Sequence, residues 1–310
     1  MPIVALVLIL LGAGALAAGI FVYLSAIALL RPPRMTDGKA MAILHRVSPG
    51  DLELRFEPVT YHVRDEQTGR PLKLAGWWIP HETARGKCVV MLHGYADAKV
   101  GALAWAPLFH GLGWNILALD LRAHGQSQGR NMSEGWWERH DVSGAINELR
   151  AQRPADTRQL VLFGVSMGAA VATAVAAMRD DVDALVLDSM VADSIQATQT
   201  ALRLMGLPCR ALRRAAVGLA QWLSGADFGA VRPTDLLRRT RCPVLLIECE
   251  QDGWVDDAGR EELRHAVCER SAPGEFWLVG RAGHLMALAA QPESYAHRLA
   301  RFLDALRDRQ

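Results

Sequence analysis

Residues 159–178 read QLVLFGVSMGAAVATAVAAM, and this stretch carries the strongest structural signal in the chain. Its first part is a short apolar run typical of a buried strand, and its last part is an alanine-rich run typical of a helix. Between them lies the GxSxG string Gly164-Val165-Ser166-Met167-Gly168. Its glycines permit a tight turn that would lift the Ser166 hydroxyl clear of the sheet. The alternative is an ordinary connection in which Ser166 caps the helix.

Similar apolar runs lie on both sides of this stretch and alternate with helix-like segments. Two candidate strands come first, followed by five further β-rich runs: LRFEPVTYHV (54–63), LKLAGWWIP (72–80), KCVVMLHG (87–94), WNILALDL (114–121), DALVLDS (183–189), CPVLLIEC (242–249) and EFWLV (275–279). Continuous apolar strands separated by helices indicate a parallel sheet covered on both faces. We therefore predict an α/β fold, with the functional site at the carboxyl ends of the strands.

A serine hydroxyl needs a general base and an acid that orients the base. When the serine lies on such a turn, the partners follow in the chain order Ser, Asp or Glu, His. His284 directly follows the last predicted strand, so it lies at the correct edge of the sheet. We predict that Ser166 is the nucleophile and His284 its base.

The stretch VLLIECEQDGWVDD (244–257) offers several carboxylates for the acid. Asp252 stands on the turn just beyond the strand, where the acid is expected. Glu248 on the same strand and Asp188 after the preceding strand are the alternatives. Asp256 and Asp257 fit the start of a helix, because carboxylates are favourable there, and Glu250 fits a solvated turn.

Two backbone N–H groups are needed to stabilise a tetrahedral intermediate. One is expected from Met167, next to the serine. The other is expected from Tyr95, in the loop after the third strand. His93 in the same loop is predicted to pack and form hydrogen bonds, since no second ligand stands at metal spacing. No cofactor motif occurs, so we expect neither a metal nor a cofactor.

The N-terminal residues 1–30 form one long uncharged, apolar segment. Its length exceeds the roughly 20 residues that cross a bilayer as a helix. A cleaved signal peptide is the alternative, but nothing basic precedes the run and the run is too long. We predict a single-pass membrane anchor, with Arg31 and Arg34 placing the following domain in the cytoplasm.

Residues 31–54 are expected to be a linker and residues 55–310 the main domain. About fifty residues separate two of the strands, and they include ALRLMGLPCRALRRAAVGLAQWLSG (201–225). A connection this long is commonly a lid or binding insertion, so we predict a helical cap at about 190–240. An ordinary crossover with a solvated arginine face is the alternative.

Charge and cysteine content exclude some functions. A formal net charge of +1 and the lack of a long basic run give no reason to expect nucleic acid as a partner. The five cysteines are widely spaced, without a CxxC pair or a zinc-binding pattern, and mostly have apolar neighbours. We expect buried free thiols.

Several spaced motifs together resemble a known family. HGYADAK (93–99), LDLRAHGQSQG (119–129), GVSMG (164–168), LVLDS (185–189), DGWV (252–255) and AGH (282–284) look like the serine hydrolases of the α/β-hydrolase superfamily. The chain is also similar to membrane-anchored Bem46-like and related bacterial esterase or lipase-like proteins. The similarity lies in the anchor, in GWWERHDV (135–142) and in RPTDLLRRTRCPVLLI (232–247), the stretch that leads to Asp252. The turn at Asp252 departs from the family pattern, with Glu248-Cys249 for His-Gly and Asp256 for Pro.

The resemblance implies the α/β-hydrolase fold and a two-step acyl transfer on carboxylic esters or thioesters, with a small acyl or lipid-like substrate. A serine peptidase of the same fold is the nearer alternative. A carboxylate in the pocket, able to hold a peptide amino terminus, would favour it. A non-catalytic binding protein that kept the fold is the more distant alternative.

Overall fold

An eight-stranded sheet forms the centre of the protein in the computed structural model, which describes residues 2–207 and 209–306. The strand order is β1-β2-β4-β3-β5-β6-β7-β8. The strands are β1 Glu57–Arg64, β2 Pro71–Ile79, β3 Lys87–Leu92, β4 Asn115–Leu119, β5 Gln159–Val165, β6 Ala184–Asp188, β7 Val244–Cys249 and β8 Gly274–Val279.

The strands are mostly parallel, as the sequence predicts. β2 pairs antiparallel with both β1 and β4, and the strands from β4 to β8 pair in parallel. β4, β5, β6 and β7 are buried at every position. Full burial explains why these strands read as continuous apolar runs rather than as alternating ones.

Helices cover both faces of the sheet. They are α1 Pro2–Leu30, α2 Asp37–Leu44, α3 Lys99–Ala102, α4 Ala106–Gly111, α5 Glu138–Gln152, α6 Met167–Ala176, α7 Ser194–Leu204, α8 Arg210–Ser224, α9 Pro233–Arg239, α10 Asp257–Cys268, α11 Ala287–Ala290 and α12 Pro292–Asp304. One apolar cluster joins one face of the sheet to α5, α6 and α10, and a second joins the other face to α4 and α12. The architecture is that of an α/β-hydrolase fold.

The long connection between β6 and β7 is helical. It contains α7, α8, a 3₁₀ turn at Phe228–Ala230 and α9. Ala216, Val217 and Ala220 of α8 join the same apolar cluster as Ala26 and Leu29 of α1. The hairpin α7–α8 therefore packs beside the end of the N-terminal helix.

Helix α1 is long and apolar enough to cross a membrane over Ile3–Leu30, and its most apolar window is not buried. The segment that follows it, residues 31–54, is ordered and contains α2 and a 3₁₀ turn at Pro49–Leu52. Arg34 donates to the carbonyls of His124, Gly125, Ser127 and Gly129 at 2.6–3.2 Å. This segment is thus held firmly against the domain.

The cysteines follow the sequence prediction only in part. Cys88, Cys242 and Cys249 are buried, whereas Cys209 and Cys268 are exposed, and all five are free thiols. The expectation of burial is wrong for the last two. Cys209 precedes the cap helix α8, and Cys268 ends the amphipathic helix α10, so both lie outside the core.

The turn between β5 and α6 depends on close backbone contact. A Cβ atom at Gly168 would lie 2.2 Å from the Leu92 carbonyl oxygen, and one at Gly164 would lie 2.3 Å from the Gly168 carbonyl oxygen. Neither glycine has a positive φ. These glycines are therefore required by the close approach of α6 to β3 and β5 rather than by a left-handed backbone.

The substitution Gly168→Ala is expected to lower the free energy of unfolding by about 1–3 kcal/mol, because the backbone of β3 must move to admit the methyl group. Gly218→Ala is the matched control. Gly218 lies inside α8 with open space around its Cβ position, so alanine there is expected to raise stability by about 0.5–1 kcal/mol. Denaturant titration of both variants in detergent micelles measures the difference, and equal effects would contradict this account.

Candidate active site

Ser166 lies on a strained turn between β5 and α6. Its φ is 51° and its ψ is −121°, a conformation that non-glycine residues rarely adopt and that costs on the order of 1–3 kcal/mol. Its N–H donates to the Asp188 carbonyl at 2.9 Å, and its carbonyl accepts from Ala169 N–H at 2.9 Å. The sheet and the helix together hold the residue in place and turn its hydroxyl outward.

His284 lies on the loop between β8 and α11, and its ring reaches Ser166. The distance from Ser166 Oγ to His284 Nε2 is 2.9 Å. The other ring nitrogen, Nδ1, lies 2.6 Å from Asp252 Oδ2. With Asp252 ionised, Nδ1–H donates to the carboxylate and Nε2 accepts from the serine hydroxyl.

Asp252 follows β7 on the predicted turn, and its side chain is fully buried. Its second oxygen, Oδ1, accepts from Trp254 N–H at 2.8 Å. Both carboxylate oxygens therefore have a donor. The three residues nominated from the sequence, Ser166, Asp252 and His284, form one continuous hydrogen-bonded chain.

Glu248 is fully buried but does not contact His284. Its Oε1 accepts from Met190 N–H at 2.9 Å, and its Oε2 has no partner among the described residues. Burial, together with the charges of Asp252 and Asp188, raises the pKa of Glu248 well above its usual value. A neutral carboxyl at this position is a poor partner for an imidazolium.

Asp188 is also buried, and it supports the loop that carries His284. Tyr295 Oη–H and Ser189 Oγ–H donate to its two oxygens, each at 2.9 Å. Ser189 Oγ in turn accepts from Leu285 N–H at 3.0 Å. Burial raises the pKa of Asp188 to about 6. Sequence reasoning did not predict the roles of Ser189 and Tyr295, because their contacts are with residues distant in the chain.

The two predicted oxyanion donors lie beside the serine. Met167 is the first residue of α6, where N–H groups have no intrahelical partner. Among the described residues no acceptor is bonded to the N–H of Met167 or of Tyr95. A Cβ atom at Gly94 would lie 3.3 Å from Ser166 Cβ, so the Tyr95 loop passes close to the nucleophile.

His93 fixes the peptide that carries the Tyr95 N–H. Its Nε2 accepts from Leu121 N–H at 3.0 Å, so the proton is on Nδ1, which donates to the Gly94 carbonyl at 2.8 Å. That carbonyl and the Tyr95 N–H belong to one planar peptide. Complete burial lowers the pKa of His93 to about 3, so the ring stays neutral. The predicted structural role of His93 thus has a specific geometry.

His124 holds the other side of the same loop, and sequence reasoning did not single it out. Its Nδ1 donates to the Arg122 carbonyl at 2.8 Å, and its Nε2 accepts from Ala96 N–H at 3.3 Å. The Arg122 guanidinium is buried between Asp141 and Asp65. A buried ion-pair network therefore supports the loop that presents Tyr95.

A cavity of about 170 Å³ opens in front of the serine. Its walls are largely apolar and include Val191, Ala197, Ala201 and Trp254, but two carboxyl groups also line it, Asp97 and Glu134. Burial, with a contribution from Glu138, raises the pKa of Glu134 to about 8, and burial raises that of Asp97 to about 6. Neither carboxyl was predicted as a site residue.

A larger depression, of about 780 Å³, lies at the amino ends of β3 and β5, the opposite edge of the sheet from Ser166. The described residues hold no group of three or more His, Cys, Asp or Glu side chains arranged to bind a metal. Ser166 and His284 line the smaller cavity and not this depression.

Comparisons with known proteins give a partial family match. A family model described as serine aminopeptidase, S33, matches residues 83–226, less than half of the chain. The uncharacterized protein YqkD of Bacillus subtilis is 27% identical over 235 residues, 74% of each chain. Other curated relatives, such as YfhR of Escherichia coli, match over about two fifths of this chain and 44% of their own length.

Solved structures give the same fold. The esterase Pf2001 of Pyrococcus furiosus superposes with a TM-score of 0.71 and 22% identity, covering 89% of this chain and 97% of the other. A thermophilic esterase from Thermogutta terrifontis superposes with a TM-score of 0.55 and 22% identity, covering 81% and 99%.

The fold and these matches define the class of protein only at the level of the fold: the chain has the α/β-hydrolase fold, and residues 83–226 match a hydrolase family model. Within that class, the matched family model and the fold support a hydrolase. The family match spans Tyr95 and Ser166 and ends before Asp252 and His284. The narrower resemblance to membrane-anchored Bem46-like proteins stays a prediction.

Replacing Asp252 with Asn is expected to preserve folding and lower kcat by about 10⁴-fold, because the amide no longer holds His284 in the correct tautomer. Glu248→Gln is the matched control, since it changes an equally buried carboxyl that lacks contact with His284. We expect little loss of activity in that variant. Rates measured on purified variants with equal thermal stability test this, and a severe loss confined to Glu248→Gln would identify the other acid.

Proposed function

We propose that the protein is a serine hydrolase that cleaves carboxylic ester or thioester bonds of acyl substrates. The hydrogen-bonded chain from Ser166 through His284 to Asp252, at 2.9 and 2.6 Å, is the observation that supports it most directly. A nucleophile, a base and an orienting acid within hydrogen-bond reach are what acyl transfer requires.

In the proposed reaction, Ser166 Oγ attacks the substrate carbonyl while His284 Nε2 takes the hydroxyl proton. The N–H groups of Met167 and Tyr95 stabilise the oxyanion that forms. His284 then gives its proton to the leaving group, and an acyl-enzyme remains on Ser166. Water, activated by the same histidine, releases the acid and restores the serine. The buried Asp252 stabilises the imidazolium at each stage.

The apolar cavity wall supports an acyl group rather than a highly charged metabolite as the part bound near Ser166. No cofactor or metal is needed for this chemistry, and the net charge of +1 gives no reason to expect nucleic acid as a partner. Esterases among the structural neighbours also support an ester substrate.

We further propose that residues 1–30 anchor the protein in a membrane, that 31–54 connect the anchor to a catalytic domain at 55–310, and that about 190–240 form its cap. The end of α1 is built into the domain: Leu30 accepts from Met132 N–H at 2.8 Å and Ala28 from Tyr95 Oη–H at 3.3 Å. Such contacts favour retention of the segment over its removal as a signal peptide.

A cytoplasmic catalytic domain stays a prediction. The arginines on which it depends both have roles in the fold, since Arg31 bonds Asn131 and Arg34 bonds four carbonyls. Their presence is explained without the positive-inside rule.

Wild-type protein is expected to release p-nitrophenol from short and medium acyl esters, and Ser166→Ala to lose this activity by at least about 10³-fold, because the nucleophile is absent. A fluorophosphonate probe should label the wild type and fail to label the variant. Equal rates in the two proteins would reject the proposal. Folded wild-type protein that neither turns over esters nor takes the probe would indicate a non-catalytic binding protein.

Glu134 and Asp97 support a second candidate, a peptidase or aminoacyl hydrolase that binds a substrate amino group. Both carboxyls line the cavity in front of Ser166. The match to a family described as serine aminopeptidase is consistent with this candidate. A buried carboxyl gains most by ionising when a cation lies beside it.

This candidate predicts a specific pH dependence for Glu134, whose pKa is raised to about 8. Below that pH the free carboxyl is neutral, so KM for an aminoacyl p-nitroanilide should fall as the pH rises from about 6.5 to 7.7, a range in which the substrate amino group is still largely protonated. Glu134→Gln should abolish this trend and raise KM for the aminoacyl substrate, while hydrolysis of the acyl ester is largely kept. Loss of both activities together, or of neither, would reject a role for Glu134 in amine recognition.

A further inference from the structure

The tip of the hairpin formed by α7 and α8 exposes apolar side chains. Leu204, at the end of α7, is 64% exposed, and the adjacent Met205 is 50% exposed. Trp222, on the outer face of α8, is 77% exposed. Isolated exposed apolar residues are ordinary, but three large ones on one hairpin require an explanation.

Arginines surround these apolar groups. Arg203, Arg210 and Arg214 are exposed, and none of them forms an ion pair with a carboxylate among the described residues. A groove of about 550 Å³ between the two helices is lined by three arginines, three neutral polar side chains, Ile195 and one carboxylate, Asp193, which pairs with Arg232. The arginines are Arg203, Arg210 and Arg213, and the polar side chains are Gln196, Gln199 and Thr200. Apolar residues flanked by arginine are typical of segments that lie in a membrane interface.

The position of α1 brings the hairpin to the membrane. A helix of 29 residues is about 43 Å long, whereas the hydrocarbon core of a bilayer is about 30 Å thick. In a helix that crosses the bilayer without tilt, roughly nine residues therefore lie outside the hydrocarbon. The residues of α1 that pack into the domain, including Val22, Ala26, Leu29 and Leu30, are at its C-terminal end. The part of the domain packed there lies at the headgroup level.

Helix α8 runs alongside α1 from this end. Its last residue, Ser224, accepts from Trp137 Nε1–H at 3.0 Å, and the neighbouring Met132 N–H donates to Leu30. The last turns of α8 and α1 are thus close together. Ala216, Val217 and Ala220 of α8 share an apolar cluster with Val22 and Ala26, which lie one to two turns before the end of α1. We infer that the N-terminal end of α8 and the hairpin tip extend towards the bilayer.

We propose that the tip of the α7–α8 hairpin docks on the surface of the anionic bilayer that receives α1, with Leu204 and Met205 in the interface and the exposed arginines on lipid phosphates. α7 also supplies Ala197 and Ala201 to the wall of the catalytic cavity. Docking therefore sets the mouth of that cavity at the interface. Docking and the proposed esterase function together identify membrane-resident lipid esters as the substrate class, and this assignment rests on that proposed function.

The N-terminal helix also contacts the loop that carries the Tyr95 N–H. Tyr95, which supplies one proposed oxyanion donor through its N–H, also donates through its hydroxyl to the Ala28 carbonyl at 3.3 Å. The end of α1 thus contacts the loop beside Ser166 directly. Because Tyr95 also lines the cavity, the end of α1 lies directly behind one of the cavity walls.

The two exposed cysteines provide a matched pair of reporters. Cys209 lies at the hairpin tip, and Cys268 ends α10 on the body of the domain. A fluorophore is placed on Cys209 in a Cys268→Ser variant and on Cys268 in a Cys209→Ser variant. Full-length protein is then reconstituted in phosphatidylcholine–phosphatidylglycerol vesicles that contain a lipid with a nitroxide near its headgroup.

We expect the nitroxide to quench the Cys209 label at least about fivefold more than the Cys268 label, with a smaller difference when phosphatidylglycerol is omitted. Equal quenching of the two labels would overturn the docking proposal. Quenching that is independent of phosphatidylglycerol would overturn the role of the arginines. Neither readout requires catalysis, so both outcomes are independent of the proposed esterase activity.

A functional comparison completes the test. Met205→Glu should lower hydrolysis of a long-chain ester embedded in vesicles by about tenfold, because one apolar side chain is lost from the interface. Its rate on a soluble short-chain ester in detergent should be unchanged. Met178→Glu is the matched control. Met178 is 46% exposed and lies outside the hairpin, so its substitution should affect neither rate. A wild type inactive on the soluble ester would instead reject the esterase function.

Discussion

The constraint on which the site depends is the backbone of Ser166, held at a φ of 51° between β5 and α6. This conformation persists only because its surroundings determine it fully. The Ser166 N–H donates to the Asp188 carbonyl at the end of β6. Gly168 lets α6 approach the end of β3 so closely that a Cβ atom at this position would overlap the Leu92 carbonyl oxygen. Once the turn is fixed, the position of the hydroxyl is fixed, and His284 has one place where it can receive a proton.

Behind this turn, two buried histidines have a hydrogen-bond partner on each ring nitrogen. His93 and His124 each donate through Nδ1 and accept through Nε2, which is possible only for neutral rings. Burial lowers both of their pKa values and thereby keeps the rings in that state. The Gly94–Tyr95 peptide is consequently oriented before any substrate arrives, so no free energy is needed to align it during the reaction.

The cavity in front of Ser166 is less polar than the region behind it, and neighbouring segments of the chain form its walls. Glu134 is buried and Asp97 half-buried, and both lack the network that surrounds Asp252, so their charge depends on what binds beside them. The end of α1 and the α7–α8 hairpin form the other boundary. A segment that reads as a simple tether is thus part of the structure around the catalytic cavity, through the contact of Ala28 with Tyr95.

Sequence alone determined the α/β class, the strand order in the chain, and the positions of Ser166 and His284, because periodicity and short motifs are local properties. It narrowed the candidates for the acid that orients His284 to three carboxylates on or just after adjacent strands, Asp188, Glu248 and Asp252. Only the tertiary structure decided which of them contacts His284, since that depends on which oxygen reaches Nδ1. The tertiary structure alone also showed that Glu134 lines the cavity. It likewise showed that Ser189 Oγ accepts from the N–H of Leu285, 96 residues away. Contacts between residues so distant in the chain arise from packing of the whole sheet and leave no pattern in the local sequence.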